Sequence, residues 1–332
     1  MEYTQISDTE VSGSRIGLGT WAIGGWMWGG TGEHQAIETI HSALDRGIDL
    51  IDTAPVYGFG ASESLVGEAV ESWSGSRDEV TIATKVALEW DDEENVVRNS
   101  TPERLRREID DSLRRLRTDY IDIYQVHWPD PHVPFEETAG VMKEFLEAGK
   151  IRAIGVSNYS PDQMEAFRQA APLHVCQPPY NLFEREVEED VLPYCREHDI
   201  STLTYGALCR GMLSGEMTAD REFEGDDLRN TDPKFQGARF EQYLEAVDRL
   251  DAFARQTFDR EVIHLAVRWL LDRPGVAVPL WGARRPDQLD PVDEVFGWEL
   301  DEEDFAKIDE ILEETIEDPV GPEFMAPPAR EL

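Results

Sequence analysis

The feature that most constrains the fold is an eightfold alternation of short apolar runs with helical patterns. The apolar runs are continuous, which is typical of parallel strands that are buried on both faces. They predict strands at residues 15–21, 49–52, 80–85, 120–125, 151–157, 174–177, 201–205 and 276–280. Eight such strands, each followed by a helix, predict an α/β chain folded as a (β/α)8 TIM barrel.

Apolar residues at helical spacing fill the segments between these strands. They predict helices at 34–46, 62–70, from 101 onwards, 136–147, 161–169, 187–197, 240–254, 262–271 and 284–289. Ser62 is predicted to cap the second of these helices, with Glu63 in its first turn. A loop rich in glycine and tryptophan at 22–32 follows the first strand, and a polar insertion at 222–237 follows the seventh.

The two ends of the chain lie outside this alternation. Residues 1–14 predict an N-terminal hairpin, 301–314 predict an extra C-terminal helix, and a proline-rich tail begins at Asp318. A doubly wound sheet is the alternative architecture, but it usually has fewer strands and a GxGxxG motif after the first one. Gly17-Leu18-Gly19 does not continue in that pattern. Because no linker interrupts the alternation, we expect residues 1–332 to form a single barrel domain.

The chain carries a formal net charge of -38 and has few lysines. This balance argues against nucleic-acid partners, which require a basic face, and against anionic membranes. The acidic residues lie between apolar runs, so they predict an acidic surface on a folded protein and not a disordered chain. At molar salt the Debye length is about 3 Å, which would screen their mutual repulsion. We therefore expect a halophile-like protein, with an ordinary acidic protein as the alternative.

Cysteine usage and the N-terminus predict a cytoplasmic location. Cys176, Cys195 and Cys209 form neither an even disulfide framework nor a CxxC motif. The first residues contain no signal-peptide pattern, and no apolar run approaches the roughly 20 residues that span a bilayer.

Reactive side chains stand where the predicted strands end, and in a TIM barrel that end carries the active site. Asp52 ends the second strand, Lys85 the third, and His127 follows the fourth, while a loop delivers Tyr57. A lysine at a buried strand end needs a partner, and Asp52 on the adjacent strand is within reach. The ammonium would lower the pKa of Tyr57 from about 10 and make the phenol a usable acid. His127 could then hydrogen-bond a substrate oxygen, although a loop-capping aspartate and a packing tyrosine are the structural alternatives.

The remaining strand ends carry polar or aromatic side chains and no metal motif. Ser157 and Asn158 follow the fifth strand, Gln177 the sixth and Tyr205 the seventh. The seven histidines form neither HxH nor HExxH, and no serine lies in a GxSxG motif, so no metal site is predicted.

Several segments together resemble the aldo-keto reductases over nearly the whole chain. They are 17–21 (GLGTW), 52–58 (DTAPVYG), 83–85 (ATK), 125–128 (QVHW), 149–158 (GKIRAIGVSN), 177–181 (QPPYN) and 281–284 (WGAR). The tail at 318–324 (DPVGPEF) is similar to a bacterial subgroup of general-stress and inositol-cluster reductases.

The resemblance implies a catalytic tetrad of Asp52, Tyr57, Lys85 and His127, which is the set that stands at the strand ends. It also implies a nicotinamide cofactor bound in extended form, and reduction of aldehydes and ketones by hydride transfer with the tyrosine donating the proton. Two alternatives are a regulatory subunit similar to the potassium-channel β subunits, with little turnover, and a non-redox barrel enzyme.

The cofactor residues also follow from the resemblance. They are Thr20, Trp21 and Asp52; Ser157, Asn158 and Gln177 for the carboxamide; Tyr205 for stacking; Gly206, Ala207, Leu208, Cys209, Arg210 and Gly211 for the pyrophosphate; and Gly282, Ala283, Arg284, Arg285 and Gln288 for the adenosine end. Arginines at a helix N-terminus suit a 2′-phosphate, which favours NADP(H). NAD(H) stays open because Val292 stands where many relatives carry an asparagine. Arg229 and Lys234 are further candidates for phosphate contacts.

A small-molecule carbonyl or alcohol is the expected substrate, and the sequence indicates no oligomeric state. The predicted pocket consists of Trp21, Trp26, Trp28, Phe59 and Trp128. Such a lining suits apolar or aromatic carbonyl compounds.

Overall fold

The computed structural model describes residues 1–29 and 31–331, and its centre is a closed barrel of eight parallel strands. In chain order the strands are β1 (Tyr3–Gln5), β2 (Ser12–Ser14), β3 (Gly17–Gly19), β4 (Leu50–Asp52), β5 (Thr81–Val86), β6 (Leu88–Trp90), β7 (Val96–Arg98), β8 (Ile121–Val126), β9 (Ile151–Ser157), β10 (Val175–Gln177), β11 (Ser201–Thr204) and β12 (Val278–Gly282). The barrel order is β3-β4-β5-β8-β9-β10-β11-β12, and β12 pairs with β3 to close it.

Helices surround the barrel, as expected for strands that are buried on both faces. They are α1 (Trp21–Gly24), α2 (Glu33–Asp45), α3 (Ala61–Ser72), α4 (Pro102–Leu116), α5 (Phe135–Glu147), α6 (Pro161–Arg168), α7 (Val191–Glu197), α8 (Gly237–Phe258), α9 (Val262–Asp272) and α10 (Glu302–Thr315). The predicted TIM barrel, N-terminal hairpin and extra C-terminal helix are confirmed, and the barrel strand bounds differ from the predictions by at most two residues.

The hairpin of β1 and β2 closes one end of the barrel. Ile6 and Val11, between its strands, belong to one apolar cluster with inward-facing residues such as Leu50, Ala83 and Ile123. A larger apolar cluster fills the layer between the strands and the helices. Because the N-terminal end of the barrel is closed, the site must lie at the opposite, carboxyl end of the strands.

Three local predictions are wrong. Ser62 is not a helix cap: α3 begins at Ala61 after Gly60, whose φ of 100° is the left-handed conformation that glycine tolerates. The predicted helix at 284–289 is a 3-10 stretch at Pro286–Val295, where Pro291 lacks the N–H that an α-helix needs. The helix predicted at 187–197 begins only at Val191, after a 3-10 turn at Glu186–Glu188.

The antiparallel hairpin of β6 and β7 was not predicted. Each of its strands is three residues long, and the polar segment 91–95 separates them, so no periodicity marks it. The predicted loop at 22–32 begins with α1, and its Gly30 lies outside the described residues. Among the described helices, none is both long and apolar enough to cross a membrane.

Candidate active site

Four predicted residues converge at the carboxyl end of the barrel. Lys85 on β5 is fully buried, and its Nζ lies 2.7 Å from Asp52 Oδ2, at the end of the neighbouring β4. The same Nζ donates to the carbonyl of Thr53 at 3.0 Å and to Tyr57 Oη at 3.2 Å. The structure thus brings the carboxylate, the ammonium and the phenol into one chain of contacts.

The direction in which the pKa of the phenol shifts differs from the sequence-based expectation. Burial and the nearby Asp52 carboxylate raise the pKa of Tyr57 well above its ordinary value of 10.0. The expectation that Lys85 brings this pKa below 10 is therefore wrong, because burial of the phenol and the Asp52 carboxylate act in the opposite direction. Tyr57 is protonated at neutral pH, so it can act as a proton donor.

His127 stands beside the phenol at the end of β8. Its ring centroid lies 5.8 Å from that of Tyr57, and the two rings are nearly perpendicular at 80°. Burial and the positive charge of Lys85 lower the pKa of His127 well below 6.5. The imidazole is therefore neutral at physiological pH and has one N–H to donate.

Amide side chains orient the second oxygen of Asp52. Gln177 Nε2 donates to Asp52 Oδ1 at 2.8 Å, and Gln125 Nε2 lies 3.4 Å from the same oxygen. The amide nitrogen of Gln177 is therefore bonded to the tetrad, although the resemblance implied that this side chain contacts the cofactor. Gln125 was missed as a site residue because it lies inside a strand and not at its end.

Ser157 and Asn158, the other residues predicted to bind the carboxamide of the cofactor, are bonded to each other and to their neighbours. Asn158 Nδ2 donates to the carbonyl of His127 at 3.0 Å, and Asn158 Oδ1 accepts from Tyr205 Oη at 2.9 Å. Ser157 Oγ donates to the carbonyl of Gln177 at 2.8 Å. These bonds fix the side chains around a cavity that they share with Tyr57 and His127.

The first turn of α3 supports the tetrad from behind. Ser62 Oγ lies 2.8 Å from Thr20 Oγ1 and accepts from Thr53 Oγ1 at 2.9 Å. The buried carboxylate of Glu63 accepts from Thr84 Oγ1 at 2.6 Å. Sequence reasoning gave these two residues only a local helix role, yet they tie together the ends of three barrel strands.

A groove of about 760 Å³ leads from Tyr57 along one side of the barrel mouth. Most of the predicted cofactor residues line it: Thr20, Trp21, Asp52, Tyr205, Gly206, Ala207, Leu208, Arg210, Gly211, Gly282, Ala283, Arg284, Arg285 and Gln288. Cys209 does not, because its side chain is fully buried beneath the loop.

Arginines gather at the far end of the groove. Arg284 and Arg285 follow β12, and Arg221 and Arg229 come from the insertion after β11. Burial and the charges of Arg229 and Arg285 lower the pKa of Arg284, although Arg229 pairs with Asp227 and Arg285 with Asp287. In a chain with a net charge of -38, this concentration of guanidinium groups fits a phosphate group. Arg221 was missed because nothing in its polar segment distinguishes it.

Two residues at this end have structural contacts. Gln288 Oε1 accepts the backbone N–H of Arg284 at 3.0 Å, so it shapes the turn that carries the arginines. Val292 is fully buried in the apolar core. The position that raised the question of NAD use therefore does not face the groove.

A second cavity of about 450 Å³ opens on the other side of Tyr57. Its walls include the predicted Trp21, Trp26 and Trp128, together with residues that were not predicted: Met27, Leu88, Val96, Leu228, Phe324, Met325 and Pro327. Two pocket predictions are wrong. Trp28 lines the groove instead, and Phe59 packs between Trp26 and Trp90, with ring centroids 5.4 and 5.6 Å apart.

The C-terminal tail forms one wall of this cavity because the β6–β7 hairpin anchors it. Arg98 Nε donates to the carbonyl of Pro327 at 2.7 Å, and its backbone N–H donates to the carbonyl of Pro328 at 3.0 Å. The sequence did not predict this hairpin, and therefore did not predict how the tail is held at the site.

One predicted phosphate contact is wrong: Lys234 belongs to a buried group of four charges that also includes Arg210, which does line the groove. We call Glu184, Arg210, Asp232 and Lys234 the charge quartet. Glu184 pairs with Arg210, and its Oε1 lies 2.8 Å from Lys234 Nζ. Arg210 Nε lies 2.6 Å from Asp232 Oδ2. Both cations are thus paired with carboxylates, and Lys234 does not line the groove.

In the described part of the chain, no cluster of three or more His, Cys, Asp or Glu side chains could hold a metal ion. The chemistry that the geometry supports is proton transfer at Tyr57, between a groove that suits an extended anionic cofactor and an apolar cavity.

Comparison with known proteins agrees with this geometry. The model of the Aldo/keto reductase family matches residues 15–313, which include all eight barrel strands. The aldo-keto reductase YhdN of Bacillus subtilis (strain 168) is 62% identical over 331 residues, covering 100% of this chain and 99% of the relative. The NADH-specific methylglyoxal reductase of Escherichia coli (strain K12) is 35% identical over 305 residues, covering 87% of this chain and 91% of the relative.

A solved structure is similar along nearly the whole chain. The glycerol dehydrogenase AKR11B4 from Gluconobacter oxydans superposes with a TM-score of 0.88 at 49% identity, covering 98% of this chain and 99% of that structure.

Proposed function

The chain belongs to the aldo/keto reductase family, and we propose that Tyr57 is its general acid, assisted by Lys85, Asp52 and His127. As a member of that family it is an oxidoreductase that reduces small carbonyl compounds with NAD(P)H. The observation that carries the proposal is the position of Tyr57, which lines both the groove and the cavity while Lys85 Nζ lies 3.2 Å from its hydroxyl.

Each residue then has a defined task. A nicotinamide cofactor, when bound, supplies the hydride that reduces the carbonyl carbon. Tyr57 donates its proton to the carbonyl oxygen, and Lys85 stabilises the phenolate that remains. Asp52 fixes Lys85 within reach of the phenol, and neutral His127 donates a hydrogen bond that orients the same carbonyl oxygen.

A Tyr57→Phe variant tests this assignment. We expect kcat for aldehyde reduction to fall by about 10²–10⁴-fold, the usual contribution of general acid catalysis. NADPH binding, followed by fluorescence quenching, should change little because the ring remains in place. Tyr194→Phe is the matched control, because its hydroxyl contacts Glu165 on the surface. Turnover like that of the wild type in Tyr57→Phe would refute the role.

We further propose that NADPH is preferred over NADH. The support is the arginine group at the far end of the groove, although one relative is named as NADH-specific. Arg284→Gln should raise the KM for NADPH by about tenfold, the effect of roughly 1.4 kcal/mol, and leave the KM for NADH nearly unchanged. Arg249→Gln, whose partner is Glu314 on the surface, is the control. Equal effects on the two cofactors would contradict the preference.

The substrate class that we propose is neutral carbonyl compounds with an apolar substituent. Among the described residues that line the cavity, none is a lysine or an arginine, and the one carboxylate is that of Glu94. A carboxylate on the substrate would lose hydration there and gain no partner. We expect 4-nitrobenzaldehyde to exceed 4-carboxybenzaldehyde in kcat/KM by at least about tenfold, roughly 1.4 kcal/mol. Glu94→Gln should narrow that gap, and a preference for the anionic aldehyde would refute the proposal.

Three broader features complete the proposal. We propose that the chain is one domain over residues 1–332, that it belongs to the bacterial general-stress subgroup, and that it works in a salt-rich cytoplasm. The net charge of -38 supports the last point, since salt screens self-repulsion. The midpoint of thermal unfolding should rise between low and molar KCl, and a falling midpoint would contradict the salt adaptation.

A further inference from the structure

The charge quartet connects the two cavities of the proposed active site. Glu184 pairs with Arg210 and Lys234 through one oxygen, and its other oxygen accepts from Asn181 Nδ2 at 2.7 Å. That amide nitrogen also donates to the carbonyl of Gly206 at 3.0 Å. Because Gly206 belongs to the loop that borders the groove, one buried carboxylate is linked to the cofactor side of the site.

The cations of the quartet contact the C-terminal tail. Lys234 Nζ donates to the carbonyl of Gly321 at 3.2 Å and lies 5.7 Å from the ring centroid of Phe324. The guanidinium of Arg210 lies 5.6 Å from the same ring. Phe324 lines the substrate cavity, and Met325 lines both the cavity and the groove. The tail wall of the substrate cavity therefore rests on the quartet.

The groove loop has a backbone that needs such support. Cys209 and Arg210 have φ values of 43° and 55°, in the left-handed region that side chains other than glycine rarely adopt. Such conformations persist where surrounding contacts determine them. The Arg210 side chain supplies these contacts through its pairs with Glu184 and Asp232, so the path of the loop depends on the quartet.

We propose that the charge quartet couples the groove to the substrate cavity, so that cofactor binding and substrate binding strengthen each other. Glu184 and Lys234 are positioning residues that fix the groove loop and the tail in one shared arrangement. The inference rests on the proposed function, since it takes the groove as the cofactor site and the cavity as the substrate site. By thermodynamic linkage, each ligand tightens the other by the same factor.

The test measures that factor directly. The Kd of NADPH is determined by fluorescence quenching, without and with a saturating concentration of the alcohol product of the best aldehyde. We expect the alcohol to tighten NADPH binding in the wild type by about 5-fold or more, which is within the usual range of coupling. Lys234→Met should reduce the factor to nearly one, and it should raise the substrate KM more than it lowers kcat.

Two further variants make the test decisive. Phe324→Ala removes the ring that the two cations of the quartet contact but removes no charge. It should also lose most of the coupling, and it decides the matter if Lys234→Met does not fold. Lys307→Met, which removes a surface lysine paired with Glu310, should keep the wild-type factor. Coupling that survives in folded Lys234→Met or in Phe324→Ala, or that is missing from the wild type, would overturn the inference. Failure of the wild type to bind NADPH would instead count against the proposed function.

Discussion

Two groups of buried charges lie at the carboxyl end of this barrel, and they differ in what surrounds them. In the charge quartet, two carboxylates pair with two cations. Neither of the neutral groups of the proposed tetrad, Tyr57 and His127, belongs to these pairs. In the tetrad, the Asp52–Lys85 pair is accompanied by a protonated phenol and a neutral imidazole that face a cavity. Buried charge alone therefore does not mark a catalytic centre. A neutral donor beside the charge, open to a cavity, distinguishes the tetrad.

The strongest test of this comparison is to remove one lysine from each group. Lys85→Met should lower kcat by about 10²-fold or more, because the phenolate loses its stabilising ammonium. Lys234→Met should leave kcat within a few-fold of the wild type. Both variants leave a buried carboxylate short of a cation, so both should lose stability, by up to about 3–5 kcal/mol.

The measurements are kcat under saturating substrate and the free energy of unfolding in urea. Thermal unfolding first establishes that each variant is folded. If Lys234→Met lost turnover as completely as Lys85→Met, the quartet would have to be assigned to the chemistry, and the distinction between the two groups would fail.

A second prediction separates the two groups by pH. Tyr57 has its pKa raised above 10.0, and His127 has its pKa lowered well below 6.5. Neither should titrate between about pH 7 and about pH 9, so kcat for reduction should be nearly constant there. Loss is expected on the alkaline side, where Lys85, whose pKa burial lowers from 10.5, gives up its proton. A bell-shaped profile centred near neutrality would contradict this assignment.

The quartet should affect acid stability instead. Although burial alone would raise it, Arg210 and Lys234 bring the pKa of Glu184 below 4.5 in the folded protein. The stability gained from Glu184 is therefore present above its unfolded pKa and is lost as the pH falls through the lower folded value. Lys234→Met should move acid unfolding to higher pH, as followed by tryptophan fluorescence. An unchanged acid midpoint would show that Lys234 contributes little to this pKa.

The same contrast explains what the sequence could predict. Asp52, Lys85 and His127 stand within one residue of a strand end, Tyr57 lies in the loop after one, and continuous apolar runs locate those ends to within two residues. The quartet brings Glu184 and Arg210 together with Asp232 and Lys234, which are distant along the chain, so no local pattern indicates it. Trp26 and Trp28 line different cavities and flank Met27, whose left-handed φ of 64° no sequence pattern indicated.

The smallest expected effect concerns the support behind the tetrad. Ser62→Ala removes a hydroxyl that bonds with Thr20 and Thr53, and the carbonyl of Thr53 accepts from Lys85 Nζ at 3.0 Å. Leaving buried hydroxyl groups unpaired should cost about 1–3 kcal/mol of unfolding free energy. Because Thr53 also positions Lys85, kcat should fall by a few-fold.

Ser64→Ala is the matched control for this support, two residues further along α3. Its hydroxyl donates to the carbonyl of Gly60, the residue before the helix, at 2.9 Å. We expect a change of unfolding free energy within about 0.5 kcal/mol, as for other substitutions away from tertiary networks, and an unchanged kcat. If the two serines behaved alike in urea unfolding and in turnover, the first turn of α3 would be ordinary helix packing. A difference confined to Ser62→Ala would instead show that the tetrad depends on the hydroxyl groups that join the strand ends beneath it.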